Sequence, residues 1–144
     1  MRPHADTPPV SIRLALEILD SVETEYLIDL DRVYVAGQSM GGEGVWAALA
    51  ARPGQFAAAI ALCGYGEPWM IDRIAKTPVW AFQGAADEIV SVEHAREWIA
   101  ALRKGGGAPK YSEYPGIGHQ VWDKAFAEPG LLPWLAAQHH PPTK

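Results

Sequence analysis

The chain has a single cysteine, Cys63, among 144 residues, so no disulfide forms within it. It contains neither a C-x-x-C pair nor an H-E-x-x-H helix motif, and scattered histidines alone make a poor case for a metal. Basic excess is also missing. Twelve Lys and Arg against seventeen Asp and Glu give a formal charge of -5, no footprint for nucleic acid or an anionic membrane surface. No apolar run approaches the roughly 20 residues of a membrane span. The start, Met1-Arg2-Pro3-His4-Ala5-Asp6, lacks a signal peptide's apolar segment, and localisation stays open. A phosphate-binding loop would need Lys-Ser/Thr after its glycine, but Glu43 follows Gly42. A dinucleotide fingerprint would need glycine at Ser39 and an acid where Ala61-Leu62-Cys63 stands. Neither a cofactor nor a metal is therefore expected.

What is present is a globular composition: 49% hydrophobic, 20% charged and six tryptophans, enough for one core and too short for two ordinary domains. Residues 11–138 read as one α/β unit, with tails at 1–10 and 139–144. Apolar positions from Ser11 to Tyr26 recur at helical spacing, and Asp29-Leu30-Asp31 reads as a turn. Three short apolar strands are then predicted at Arg32–Ala36, Phe56–Cys63 and Val79–Phe82, and a fourth, more polar one at Lys110–Tyr114. Helices are predicted between them, up to Arg52, over Pro68–Ala75 and from Ser91 or Val92 to Arg103, with short ones around Trp122–Ala127 and Leu131–Gln138. Alternation of this kind predicts a parallel sheet with helices on both faces.

The first strand runs into Gly37-Gln38-Ser39-Met40-Gly41, and a helical pattern follows at once. Strand, G-x-S-x-G and helix is the context of a nucleophile elbow, in which a tight turn lifts the serine hydroxyl above the sheet. A serine there can also be a plain helix cap. Asp87 follows the third strand and His119 the fourth, so all three groups fall at one edge of a parallel sheet. Serine, acid and histidine in that order can work as nucleophile, orienting carboxylate and general base. Glu88 and Asp123 are the other acids near enough in sequence to serve. The Met40 N–H, opening the helix, is the candidate oxyanion donor. Trp122, Gln38 and Trp69 are the candidate substrate-binding residues, although the tryptophans suit a core equally well. Cys63 reads as a buried small hydrophobe.

These segments resemble the α/β-hydrolase superfamily, in particular its phospholipase/carboxylesterase-like group of predicted peptidases and feruloyl-esterase-like esterases. The resemblance rests on Ile28–Gly42, Pro78–Asp87 and Tyr114–Trp122 and runs from about Ser11 to the C-terminus. It implies a serine carboxylesterase with Ser39, Asp87 and His119 as its triad, acting on a small-molecule ester. A serine peptidase, or a self-associating half-domain with little turnover, are the alternatives. Gln83 departs from the group, whose members usually carry histidine before this glycine, and is expected to bear on packing more than on the triad.

The larger departure is at the front. No strand is predicted before Arg32, so the chain reads as a truncated α/β-hydrolase fold lacking the N-terminal strands and the loop that usually supplies the second oxyanion N–H. Weak activity is one expectation from this. A homodimer or higher oligomer through the exposed Arg32–Gly37 strand edge is another.

Overall fold

A computed structural model describes residues 7–74 and 76–140. Helix α1 spans Val10–Glu25, strand β1 Tyr34–Gln38, α2 Met40–Ala51, β2 Ala58–Leu62 and α3 Ile71–Ile74. They are followed by β3 Val79–Gly84, α4 Val92–Lys104, β4 Lys110–Tyr114, α5 Trp122–Phe126 and α6 Leu131–Ala136. The four strands pair in parallel in the order β1-β2-β3-β4, so each connection crosses over and all carboxyl ends lie on one edge.

The middle strands β2 and β3 are buried at every position, which is why they read as unbroken apolar runs. Alternate side chains go to opposite faces. Ala59, Ala61, Val79 and Ala81 pack with Trp46 of α2 and Trp98, Ile99 and Leu102 of α4. Ile60, Leu62, Trp80 and Phe82 pack with Val121, Ala125 and Leu131 around α5 and α6. Helix α2 approaches the sheet closely: a Cβ on Gly42 would stand 2.4 Å from the Leu62 carbonyl oxygen. Helix α2 is apolar nearly all round, because α1 covers the side that the sheet does not.

Several boundaries differ from the sequence reading: β2 is Ala58–Leu62 rather than Phe56–Cys63, Pro68–Met70 is a 3₁₀ turn ahead of α3, and α6 stops at Ala136. Strand β1 begins at Tyr34 rather than Arg32, because Asp29 accepts the Asp31 N–H at 3.1 Å and coils Leu30–Arg32 into a 3₁₀ turn. Strand β3 extends to Gly84, two residues beyond the expected end. The ends are also shorter as tails: Val10 is already helical, and the His140 N–H donates to the Asp31 carbonyl at 3.0 Å. The remainder of the expected tails, residues 1–6 and 141–144, and the expected helix end at residue 75 lie outside the described residues.

Strand β1 forms one margin of the sheet, as expected, and is only partly buried. The Val33 carbonyl and the Ser39 N–H both bond β2, so the backbone groups of Tyr34, Ala36 and Gln38 point the other way, to the open edge. On α1 only Leu16 is buried, while Val10, Leu14 and Ile18 are 61%, 50% and 65% exposed. No described helix is long and apolar enough to cross a membrane.

Candidate active site

The turn from β1 to α2 is strained at one residue. Ser39 has φ 55° and ψ -123°, outside the regions an L-residue ordinarily occupies. The surrounding backbone holds it there. The Ser39 N–H donates to the Leu62 carbonyl at 2.8 Å, and the Ser39 carbonyl accepts the Glu43 N–H at 3.0 Å. The two glycines of the motif are not equivalent. A Cβ on Gly37 would lie 2.2 Å from the Gly41 carbonyl oxygen, whereas one on Gly41 would meet nothing within 4 Å. Gly37 therefore permits the turn, and Gly41 is dispensable to it on steric grounds.

The Ser39 hydroxyl makes no capping bond to α2, contrary to the plain helix-cap alternative. Its Oγ lies 2.8 Å from His119 Nε2, and His119 Nδ1 lies 2.9 Å from Asp87 Oδ2. A carboxylate only accepts, so Nδ1 carries the hydrogen and Nε2 is left to accept from Ser39. Glu88 and Asp123, the other candidate acids, are exposed, and it is Asp87 that meets the histidine. The Asp87 side chain is fully buried and the His119 side chain 16% exposed, so this chain of three residues is open on the serine side.

Four donors surround the Asp87 carboxylate. Oδ1 accepts the N–H groups of Ile89 and Val90, both at 2.9 Å. Oδ2 accepts from His119 and, at 3.0 Å, from Gln83 Nε2. Burial pushes the carboxyl pKa up, but the Val90 N–H, His119 and the Ile89 N–H outweigh it, and the net position is below the ordinary carboxylate range. Gln83 was expected to act through packing; its amide instead bonds the acid itself.

His119 reaches the acid because its loop presses against the end of β3. Ala85 and Ala86 donate to the carbonyls of Tyr114 and Ile117, at 3.0 and 2.9 Å. A Cβ on Gly84 would stand 2.1 Å from the Gly118 carbonyl, so only glycine lets the two backbones approach this closely. The His119 carbonyl accepts from Val121 N–H at 3.0 Å and from Cys63 Sγ–H at 3.3 Å. Cys63 is thus buried as expected but is also a donor at the site, held at φ 48°. Burial and the neighbouring Asp87 charge push its thiol up to about 12.

Met40 opens α2, where the first N–H groups have no partner within the helix, and its side chain is 84% exposed. Gln38 ends β1 with its side chain toward solvent. Trp122 and Trp69 are half-buried against the two cores, and Trp69 Nε1 donates to Glu67. A concavity of about 260 Å³ lies between the loop after β2 and α4, lined by Tyr65, Pro68, His94 and Trp98. Gly64, beside it, would put a Cβ 2.5 Å from the Glu43 nitrogen, so this loop abuts the first turn of α2. A larger concavity of about 460 Å³, lined by Val79, Lys110 and Trp134 among others, is at the opposite ends of the strands. None of Gln38, Trp69 and Trp122 lines either one.

A parallel sheet with a strained serine at the mouth of a helix, facing a histidine and a buried acid, defines the α/β-hydrolase fold. The Esterase family model matches residues 13–115, and the chain belongs to this family. The structure is similar to that of a thermostable esterase, at 33% identity and a TM-score of 0.88, over 92% of this chain and 38% of that one. SOBER1 from Arabidopsis thaliana shares the fold at 22% identity and a TM-score of 0.73, over 88% of this chain and 61% of that one. An uncharacterized secreted protein from Arthroderma benhamiae is 29% identical over 123 residues, covering 65% of this chain and 13% of that relative. The chain thus spans less than half of the length of the thermostable esterase and about an eighth of the Arthroderma benhamiae protein.

Proposed function

We propose that this chain hydrolyses carboxylic esters through an acyl-enzyme on Ser39. The observation that carries the reading is the unbroken chain of hydrogen bonds from Ser39 Oγ through His119 to Asp87. A serine hydroxyl is a weak nucleophile at neutral pH until a base takes its proton. His119 Nε2 takes it as Oγ attacks the acyl carbon, and the charge that develops on the carbonyl oxygen is met by the Met40 N–H. The imidazolium then returns the proton to the leaving alcohol. Water, activated by the same nitrogen, frees the acid and restores Ser39. Asp87 remains an anion throughout, holding the tautomer and stabilising the imidazolium. Membership of the Esterase family supports ester rather than amide hydrolysis.

The test is fluorophosphonate labelling and p-nitrophenyl acetate hydrolysis by the wild type beside Ser39→Ala. Labelling and turnover that vanish together in the variant are expected. A folded wild-type chain that does neither removes the reading.

Self-association of this chain through β1 belongs to the same reading. The outward groups of Tyr34, Ala36 and Gln38 are self-complementary about Ala36, so a second copy running antiparallel exchanges N–H and C=O bonds with the first. The exposed row Val10, Leu14 and Ile18 on α1 is a further apolar surface that a second copy can cover.

A further inference from the structure

Gln83 and Asp87 are the two buried polar residues among those described, and they are bonded to each other. Gln83 is 1% exposed and sits one residue before the end of β3. Its Nε2 lies 3.0 Å from Asp87 Oδ2 and 2.9 Å from the Val90 carbonyl. Both neighbours are acceptors, so the orientation of the amide is fixed: the nitrogen must face them. The opposite atom, Oε1, is buried without a partner. Burying an amide with half its capacity unused is unfavourable, and an apolar residue would fill the space at less cost. What the amide supplies in return is confined to its two hydrogens. One goes to the oxygen that holds His119, the other to the turn whose N–H groups hold the second carboxylate oxygen.

We propose that Gln83 is a positioning residue for the acid of this site, tying Asp87 Oδ2 to the 87–90 turn so that the carboxylate stays aimed at His119 Nδ1. The role rests on the reading of Ser39, His119 and Asp87 as a triad, and it acts through Asp87 without touching substrate. An Asp carboxylate rotates about a soft torsion and is fixed only by what it accepts. The turn N–H groups fix Oδ1 alone. Without Gln83, Oδ2 has the histidine as its single partner.

Gln83→Met keeps length and bulk and removes both hydrogens. Gln83→His, the residue this position carries in the group the sequence resembles, restores a ring N–H. The groups facing Asp87 that titrate are His119 from the loop after β4 and Cys63 from the end of β2; Gln83 itself is neutral. Two readouts separate positioning from packing. The first is the titration midpoint of the Asp87 carboxyl carbon by NMR, which needs no activity. The second is kcat and KM for p-nitrophenyl acetate across pH.

In Gln83→Met the Asp87 midpoint rises and kcat falls by about tenfold, the rate equivalent of one hydrogen bond to a charged group, with KM within about twofold. Gln83→His recovers most of both. An unchanged midpoint and unchanged kcat in a folded Gln83→Met overturn the proposal. Should that variant not fold, Gln83→Glu serves instead, because a second carboxyl against Asp87 raises the same midpoint if the contact exists. Wild type that neither labels with fluorophosphonate nor turns over refutes the serine-hydrolase reading, while the NMR midpoints still decide whether Gln83 governs Asp87.

Discussion

Ser39 and His119, 80 residues apart in sequence, stand with Oγ and Nε2 at 2.8 Å. Nothing local brings them together. The contact exists because β1 and β4 are parallel, so both residues follow carboxyl ends, and because the glycine at 84 lets the histidine loop lean across β3. The hydroxyl has no second duty as a helix cap. Ser39→Ala is therefore expected to keep its melting temperature while ester turnover falls by at least about a thousandfold, as loss of a triad member does elsewhere. Calorimetry beside a p-nitrophenyl acetate assay checks both halves.

Asp87 yields a prediction in pH. Its folded carboxyl titrates below the ordinary range, because the N–H groups of Val90 and Ile89 and the His119 ring more than offset burial. A depressed folded value means the charge stabilises the fold above the unfolded carboxyl value of about 3.9. That contribution is lost as pH falls through the folded value. The stability gap between wild type and Asp87→Asn should thus be widest near neutrality and close in acid, measured by denaturant melts along a pH series. Turnover by the variant at neutral pH is expected to fall by roughly four orders of magnitude.

The elbow glycines separate cleanly. Gly37→Ala drives a Cβ into the Gly41 carbonyl at 2.2 Å, a backbone contact that cannot rotate away. A loss of about 1–3 kcal/mol is expected, with activity falling as Ser39 shifts. Gly41→Ala meets open space inside α2, where alanine is the better helix former by up to about 1 kcal/mol. Denaturant melts of the two variants should move in opposite directions. Equal losses would mean that the turn relaxes differently from its static geometry.

Cys63 offers a chemical check on burial at the site. Its thiol is enclosed, donates to the His119 carbonyl and is pushed up to about 12 by burial and by Asp87. At pH 8 that leaves about one thiolate in ten thousand, and the thiolate is the reacting form. Native protein should be inert to a disulfide reagent, and protein in guanidinium should react at once with one equivalent. Fast labelling of the native chain would contradict the packing between β2 and the histidine loop.

Much of this is legible in the sequence, and the reasons are physical. Parallel strands such as Ala58–Leu62 are buried on both faces and announce themselves as apolar runs, and glycines with charged turns mark their ends. Ser39, Asp87 and His119 then fall out of the topology, since each follows a strand. Rotamers and near-neighbour contacts are not periodic, and the sequence does not display them. Gln83 looked like a packing residue, although a polar side chain four residues before the acid on a wholly apolar strand was the available signal. Trp69 and Trp122, candidates for a pocket wall or a core alike, are half-buried against the two cores, and aromatic composition does not say which way a ring turns. The 3₁₀ turn at Leu30–Arg32 hid behind an Asp cap that also suits an ordinary turn.

Strand β1 supplies the last prediction. Among the described residues its outer N–H and C=O groups, at Tyr34, Ala36 and Gln38, have no backbone partner and form a row beside Ser39, and unpaired rows of this kind recruit other strands. The apolar row on α1 contributes Leu14 and Ile18, 50% and 65% exposed, and neither supports the core from those positions. Leu14→Lys with Ile18→Glu should therefore leave the monomer fold intact while removing apolar area from the contact. Analytical ultracentrifugation of wild type at tens of micromolar is expected to give a species at least twice the 15.6 kDa chain, and the double variant a smaller one. A proline at Ala36 attacks the same contact from the strand, since it deletes the outward N–H on which antiparallel pairing of two copies turns. If wild type sediments as a monomer at every concentration, the edge is left to solvent and Ser39 stands clear of any interface.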